Sequence, residues 1–384
     1  MSVAGGDATI ELLRRLVAID SVNPSLVPGG AGENEIARAV ADELRAAGLD
    51  VVLADAAPGR PNVVGVLEGR GRGRCLMLCG HLDTVGVAGM PAPFDPAVRD
   101  GRLYGRGAQD MKGGLAAMLA AAREVASRGL PCGRLVVAGV ADEEHASLGA
   151  EALVRDWRAD AAVVGEPTDL AVVVGHKGFS WVEVTAHGRA AHGSRPAEGR
   201  DAILRMGRVL SQLERLDREL QARPAHPFLG TPSLHASTIE GGRELSTYPD
   251  RCVLQFERRT VTGEPVDVAL PEARAILARL AAEDPALEVD ARFLFGRPAY
   301  ETPPDHDLTR LLEAALNRGG RSARRAGATF WTDAAILGHA GIPAVVFGPG
   351  GAGLHGLEEH VRLDEVVACR EALVELALAY CAGP

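Results

Sequence analysis
The chain has 384 residues, of which 47% are hydrophobic and 24% charged, and a formal net charge of −10 at pH 7. The length exceeds one typical core and predicts two domains, and the composition is that of an ordinary globular protein. The acidic balance argues against a nucleic-acid partner, which needs a basic face, and no apolar run approaches the roughly 20 residues that span a bilayer.

The first segment, 1–20, is polar and then amphipathic around Ile10, Leu13 and Val17. It lacks the apolar core of a secretory signal, so the expected compartment is the cytoplasm. Apolar strands are predicted near 62–67, 75–80, 134–140 and 161–165, alternating with helices such as 115–126. This is the α/β pattern of a largely parallel, mixed sheet flanked by helices. At Lys177-Gly178 the character changes. A half-exposed strand over 179–186 is followed by a helix over 201–220, strands at 234–239 and 252–256, a helix at 271–282 and a strand at 287–294. That β-α-β-β-α-β order is the ferredoxin-like α+β arrangement. Residues 224–232 are the one loose segment. A Pro-rich turn at 298–304 then returns the chain to α/β, with a helix at 307–317, a strand at 343–347 and a closing helix at 364–381. The expected division is a catalytic domain of 1–177 and 296–384, with an inserted domain of 178–295.

Chemistry-bearing residues cluster where the apolar strands end. His81 and Asp83 follow the run Leu76-Met77-Leu78-Cys79-Gly80. Residues two apart on a strand share a face, so Asp83 can lie beside the His81 imidazole and orient it as a metal ligand. Next come the loop 105–114 with Asp110, the triplet Asp142-Glu143-Glu144, Gly165-Glu166-Pro167-Thr168, and His355 after the Gly-rich loop 348–353. In an open α/β sheet, functional groups gather at the carboxyl ends of the strands. Two His and four or five carboxylates suit a pair of divalent metal ions. Glu143 and Glu144 point apart in extended geometry, so one can hold metal while the other takes a proton. The six Cys (75, 79, 132, 252, 369 and 381) show neither metal-type spacing nor a disulfide framework. The 41 basic residues include only two Lys, Lys112 and Lys177, both in Gly-flanked loops. A compact ammonium suits crowded loops better than a planar guanidinium does.

Gly-His-Leu-Asp-Thr-Val, Gly-Arg-Gly-Ala-Gln-Asp-Met-Lys-Gly-Gly, Asp-Glu-Glu, Gly-Glu-Pro-Thr, Ala-Ala-His-Gly-Ser-Arg-Pro and His355 with Glu359 together form a signature. It resembles that of the dinuclear zinc metallopeptidase family that holds acetylornithine deacetylase, succinyl-diaminopimelate desuccinylase, aminoacylase and carboxypeptidase G. The resemblance implies that Asp110 bridges two divalent ions per subunit, Zn²⁺ with Co²⁺ as a substitute. His81 and Glu166 would complete one metal, and Glu144 and His355 the other. Glu143 would be the general base, and Asp83 the outer partner of His81. Three carboxylates against two divalent ions leave about one positive charge, which favours a bound hydroxide.

The same resemblance implies that the inserted domain is a lid that pairs two subunits into a homodimer. His192 would donate a hydrogen bond to the tetrahedral oxyanion, reaching into the partner's site. Arg259 matches the family's reader of the substrate carboxylate, for which a bidentate Arg is suited. Glu257, where the family often carries Asn or Asp, shares a face with Arg259 and is a candidate ion-pair partner. Arg258 points the other way. Gly350 is a candidate donor of a backbone N–H to substrate, with a plain turn as the alternative. The function implied is hydrolysis of an amide in an N-acylated amino acid. A dipeptidase or carboxypeptidase of the same family, acting on short peptides, is the alternative. A non-catalytic binding protein would be favoured by loss of a ligand or of the base, and all are present.

Overall fold
The computed structural model describes residues 6–303 and 305–383. They form two compact units. The first runs up to Val174 and takes up Thr302–Ala326 and the chain from Thr332 onward; the second holds Gly175–Glu301 and Gly327–Trp331. The 178–295 segment expected as an insertion lies inside the second unit, which is wider at both ends.

A mixed sheet is the frame of the first unit. Its spatial order is Asp50–Ala57, Arg60–Glu68, Cys132–Val140, Gly71–His81, Ala161–Val164, Ala344–Val346 and Val172–His176. Gly71–His81 runs parallel to both its neighbours, and Ala344–Val346 runs parallel to Ala161–Val164. The parallel strands are the apolar ones, because they are covered on both faces: Leu76 to His81 and Leu135 to Val140 are buried without alternation. The antiparallel edge strand Asp50–Ala57, which pairs with Arg60–Glu68, adds to the strands expected from sequence; its Val51-Val52-Leu53-Ala54 run is mostly exposed. The helix Gly113–Arg128 is buried nearly all round and packs on the closing helix Leu363–Cys381. Its first turn approaches the exit of the Ala161–Val164 strand so closely that a Cβ on Gly114 would lie 1.9 Å from the Gly165 carbonyl oxygen. Only glycine permits that approach. A small antiparallel sheet of Ala97–Arg99, Arg102–Tyr104, His360–Arg362 and Gly351–Ala352 pins the loops that carry Asp110 and His355.

The second unit has the expected β-α-β-β-α-β order. Its four-stranded antiparallel sheet is arranged Ser233–Gly241, Arg251–Thr260, Gly178–His187, Glu288–Arg297. The helices Ala202–Gln221 and Ala269–Glu283 cover one face, burying Met206, Val209, Leu213, Ile276 and Leu280 against Val182, Val184, Leu254 and Phe256. Strand residues 182, 184 and 186 face that core by the period of two, and the helix positions follow at three or four. Among the described residues, no helix is long and apolar enough to cross a membrane.

Candidate metal centre
Because the parallel strands share a direction, the residues that follow them emerge along one edge of the sheet. His81 ends its strand with the ring buried. Its Nδ1 lies 2.9 Å from the Asp83 main-chain oxygen, which only accepts, so Nδ1 carries a proton and Nε2 faces inward. That Nε2 is 3.1 Å from Asp110 Oδ1 and 3.7 Å from Glu166 Oε1. The other oxygen of Asp110, Oδ2, is 3.3 Å from His355 Nε2, which is also 3.5 Å from Glu144 Oε2. Two triads result, His81–Asp110–Glu166 and Asp110–Glu144–His355, each with its candidate ligand atoms within 4.8 Å of one another. Asp110 belongs to both. All five residues expected as ligands are thus brought together.

The electrostatics fit a cation pair. Burial pushes Glu166 up to about 7 despite the opposing pull of His81, with Asp110 and Glu144 adding to the rise. Glu144 is raised by burial and by Asp110. Glu143 is driven well above the usual carboxylate range, by burial first and then by the charge of Glu166. Asp110 is held low; burial alone would raise it, but contacts with His355 and His81 prevail. Hydrogen bonds to Asp110 and Glu144 carry His355 up to about 10. Burial opposes charge on His81, yet Glu166 and Asp110 lift it well above its ordinary value. The carboxylates therefore aim negative potential at two imidazole Nε2 atoms, where a proton and a divalent ion compete for one lone pair. Glu144 Oε1 is buried with no hydrogen-bond partner among the described residues. An orphaned carboxylate oxygen of that kind is costly without a cation or water beside it. His and carboxylate donors at these positions fit two divalent ions.

Asp83 departs from its expected geometry. Its main-chain oxygen, rather than its carboxylate, orients His81; the nearer carboxylate oxygen stands 3.7 Å from Nδ1. The carboxylate instead accepts from the backbone N–H of Glu143 (3.1 Å) and Glu144 (3.2 Å) and from Asn23 Nδ2 (2.7 Å). Asp83 therefore joins the His81 strand to the Glu143-Glu144 loop. Glu359, which belongs to the sequence signature without an assigned role, is fully buried. It accepts from Arg106 Nη1 at 2.6 Å and from the N–H groups of Gly107, Gln109 and Asp110 at 2.9–3.1 Å, fixing the loop that aims Asp110. The Asp110–Met111 peptide bond is cis.

A model of peptidase family M20/M25/M40 matches residues 77–379. The chain belongs to this family. It is 32% identical over 345 residues to the acetylornithine deacetylase of Myxococcus xanthus, covering 86% of this chain and 87% of that one. Its fold matches a tripeptidase from Staphylococcus aureus with a TM-score of 0.81 at 22% identity, over 97% of this chain and 98% of the other. It also matches a dinuclear metal-binding peptidase of the M20 family from Bacillus subtilis, with a TM-score of 0.75 at 16% identity and 98% of both chains covered.

In this member of the M20 family, Gly350 does not serve as expected. Its N–H donates to Glu365 Oε2 at 2.8 Å, so it is not a donor held open for substrate. A Cβ there would lie 1.8 Å from Asp169 Oδ1, so the side chains of Asp169 and Arg362 would have to move aside. In the second unit, His192 is exposed, bridges Thr247 across an isolated antiparallel pair, and has Nδ1 2.8 Å from Ser194 Oγ. Arg259 Nε pairs with Glu257 Oε1 at 2.9 Å, as the shared face predicted, and its guanidinium lies 5.7 Å from the Phe179 ring centre. Arg258 points into the interior, bound to Glu264 and Glu272. Both lysines are buried, each donating to one carbonyl: Lys112 to Ile19 at 2.7 Å and Lys177 to Thr231 at 2.6 Å.

Proposed function
We propose that this M20 peptidase-family chain removes the acyl group from an N-acylated amino acid or related small amide, with two divalent ions, Zn²⁺ or Co²⁺, in the two triads. The observation that carries the reading is the sharing of Asp110 between two histidine–carboxylate groups at the strand exits. The 32% identity to a deacetylase over most of both chains supports the substrate class. The fold likeness to the Bacillus subtilis dinuclear metal-binding peptidase agrees with a metal pair. Bound there, the ions supply Lewis acidity to the scissile carbonyl and lower the pKa of water.

Glu143 takes the proton of the attacking water and delivers it to the leaving amine. Burial and the charge of Glu166 raise its proton affinity above that of an ordinary carboxylate, the direction that suits a general base. Asp83 keeps Glu143 and Glu144 apart in role by fixing both of their backbone N–H groups. Arg259 reads a free carboxylate on the substrate. The ferredoxin-like unit is a lid that pairs two subunits, and His192 donates to the oxyanion in the partner's site. Support for pairing is the edge strand Ser233–Gly241, which is exposed along most of its length and carries a half-exposed Ile239. The enzyme works in the cytoplasm.

The test is a screen of N-acetyl, N-succinyl and N-formyl amino acids beside dipeptides, on metal-stripped protein refilled with Zn²⁺ or Co²⁺. Turnover of N-acyl amino acids only in the refilled protein is expected. Cleavage of dipeptides alone would replace the deacylase reading with a peptidase one.

A further inference from the structure
Beside the His81 strand lies a buried polar cluster of which the proposed chemistry uses only Asp83. Glu33, Asn23, Asp83 and Asp142 are each no more than 1% exposed, and Arg60 is 9% exposed. Arg60 grips Glu33 through Nε (2.7 Å) and Nη2 (2.5 Å), and the same Nη2 reaches Asp142 Oδ1 (2.9 Å) and Asn23 Oδ1 (3.1 Å). Its Nη1 donates to Ser25 Oγ at 2.9 Å. The Asn23 amide then donates to Asp83 Oδ2 at 2.7 Å and to Asp142 Oδ1 at 3.1 Å. Asp142 stands in a left-handed conformation with φ at 68°, and its carbonyl accepts from Ala146 (3.1 Å) and Ser147 (2.6 Å), closing the loop that carries Glu143 and Glu144.

Three carboxylates against one guanidinium, all buried, are a poor means of stabilising a core. Apolar groups of similar volume usually serve stability as well or better. What the cluster does supply is direction. Asn23 and Arg60 constrain the carboxylate of Asp83 and the bend at Asp142, and these in turn set His81 and the backbone of Glu143 and Glu144. Partners that orient metal ligands from behind commonly govern metal affinity and activity by 10–100-fold.

We propose that Asn23 and Arg60 are positioning residues, holding Asp83 and Asp142 so that His81, Glu143 and Glu144 present one fixed geometry to the metal pair. This rests on the reading of the two triads as metal sites.

The experiment strips the full-length protein of metal, titrates it with Co²⁺ and records the visible absorption spectrum, the affinity and the steady-state kinetics of wild type, Asn23→Asp and Arg60→Lys. Asn23→Asp keeps shape but sets a carboxylate against Asp83 and Asp142; Arg60→Lys keeps the buried charge but loses the fork. Both should fall about 10–100-fold in Co²⁺ affinity with a changed spectrum, and kcat should drop while KM moves little. If Asn23→Asp fails to fold by circular dichroism, Arg60→Lys decides on the same readouts. Variants with a lower melting temperature but the wild-type spectrum, affinity and kcat would overturn the proposal and leave the metal reading standing. A wild type that takes up no Co²⁺ would remove the metal reading and the positioning role together.

Discussion

The carboxylate of Glu359 lies 3.1 Å from the backbone N–H of Asp110, so a buried residue 249 positions further along the chain holds the residue shared by both triads. The same carboxylate neutralises Arg106, which is itself buried. Removing it would leave a guanidinium and three loop N–H groups without their acceptor. We expect Glu359→Ala to destabilise the protein by about 3–5 kcal/mol, the usual consequence of breaking a buried ion pair. Glu359→Gln, which keeps one acceptor oxygen, should cost less and fold. Its metal affinity should fall by roughly 10–100-fold, because the Asp110 loop is no longer fixed. Thermal melts and a competition titration with a chromogenic chelator measure the two effects separately. A Glu359→Gln protein with wild-type affinity would show that the loop holds its own shape.

Glu143→Ala should lower turnover by roughly 10²–10⁴ while metal content stays near that of wild type. The reason is placement: Glu143 lies between Asp142 and the triad member Glu144, yet belongs to neither triad itself. Its proton affinity is raised by burial and by the charge of Glu166, which is consistent with a proton carrier. Elemental analysis alongside kinetics is the check. Loss of metal in the variant would make Glu143 a ligand and exchange its role with that of Glu144.

The sequence exposed the triads because His81, Glu144 and Glu166 end or closely follow apolar strands, whose parallel course brings them to one edge, while Asp110 and His355 stand in or just after Gly-rich loops. It also exposed the second unit, whose alternating strands and amphipathic helices repeat in a recognisable order. The support behind the triads was hidden. Asn23 and Arg60 belong to none of the motifs that mark the site in the sequence, yet both are buried. The two carboxylates that Asn23 donates to, Asp83 and Asp142, lie 60 and 119 positions away, and no local period encodes contacts of that range. Asp83 is the partner of His81, but the closer contact is made by its main-chain oxygen. Strand periodicity gives the face of a side chain but not which of its oxygens, main-chain or carboxylate, meets the ring. Gly350 followed from the assumption that a Gly-rich loop frees its N–H groups, and Glu365 takes that one.

Substrates with a free α-carboxylate should be preferred through Arg259. Its Nε is engaged by Glu257, and the guanidinium is about one-third exposed, which leaves the outer N–H groups for a second carboxylate. Amidating the substrate carboxylate should raise KM markedly in wild type and much less in Arg259→Ala. An equal penalty in both proteins would show that another group reads the carboxylate.

The last prediction concerns assembly. If the lid pairs two subunits and His192 serves the partner's site, each active site draws Glu143 from one chain and His192 from the other. His192→Ala and Glu143→Ala would then each be nearly inactive as homodimers, for different reasons. Mixed under conditions that exchange subunits, they form dimers in which one of the two sites holds both wild-type groups and the other holds neither. Random exchange makes about half of the dimers mixed, and each has one competent site, so activity should recover to about a quarter of the wild-type level. A C₂ dimer is the commonest oligomer, so a dimeric mass alone discriminates little. Complementation does discriminate, because a His192 acting within its own chain gives no competent site in any mixed dimer. His192 is exposed and makes an isolated antiparallel bridge with Thr247. Exchange is followed independently with one variant carrying a fluorescent label. No recovery after demonstrated exchange would place His192 in its own chain's chemistry or outside the reaction altogether.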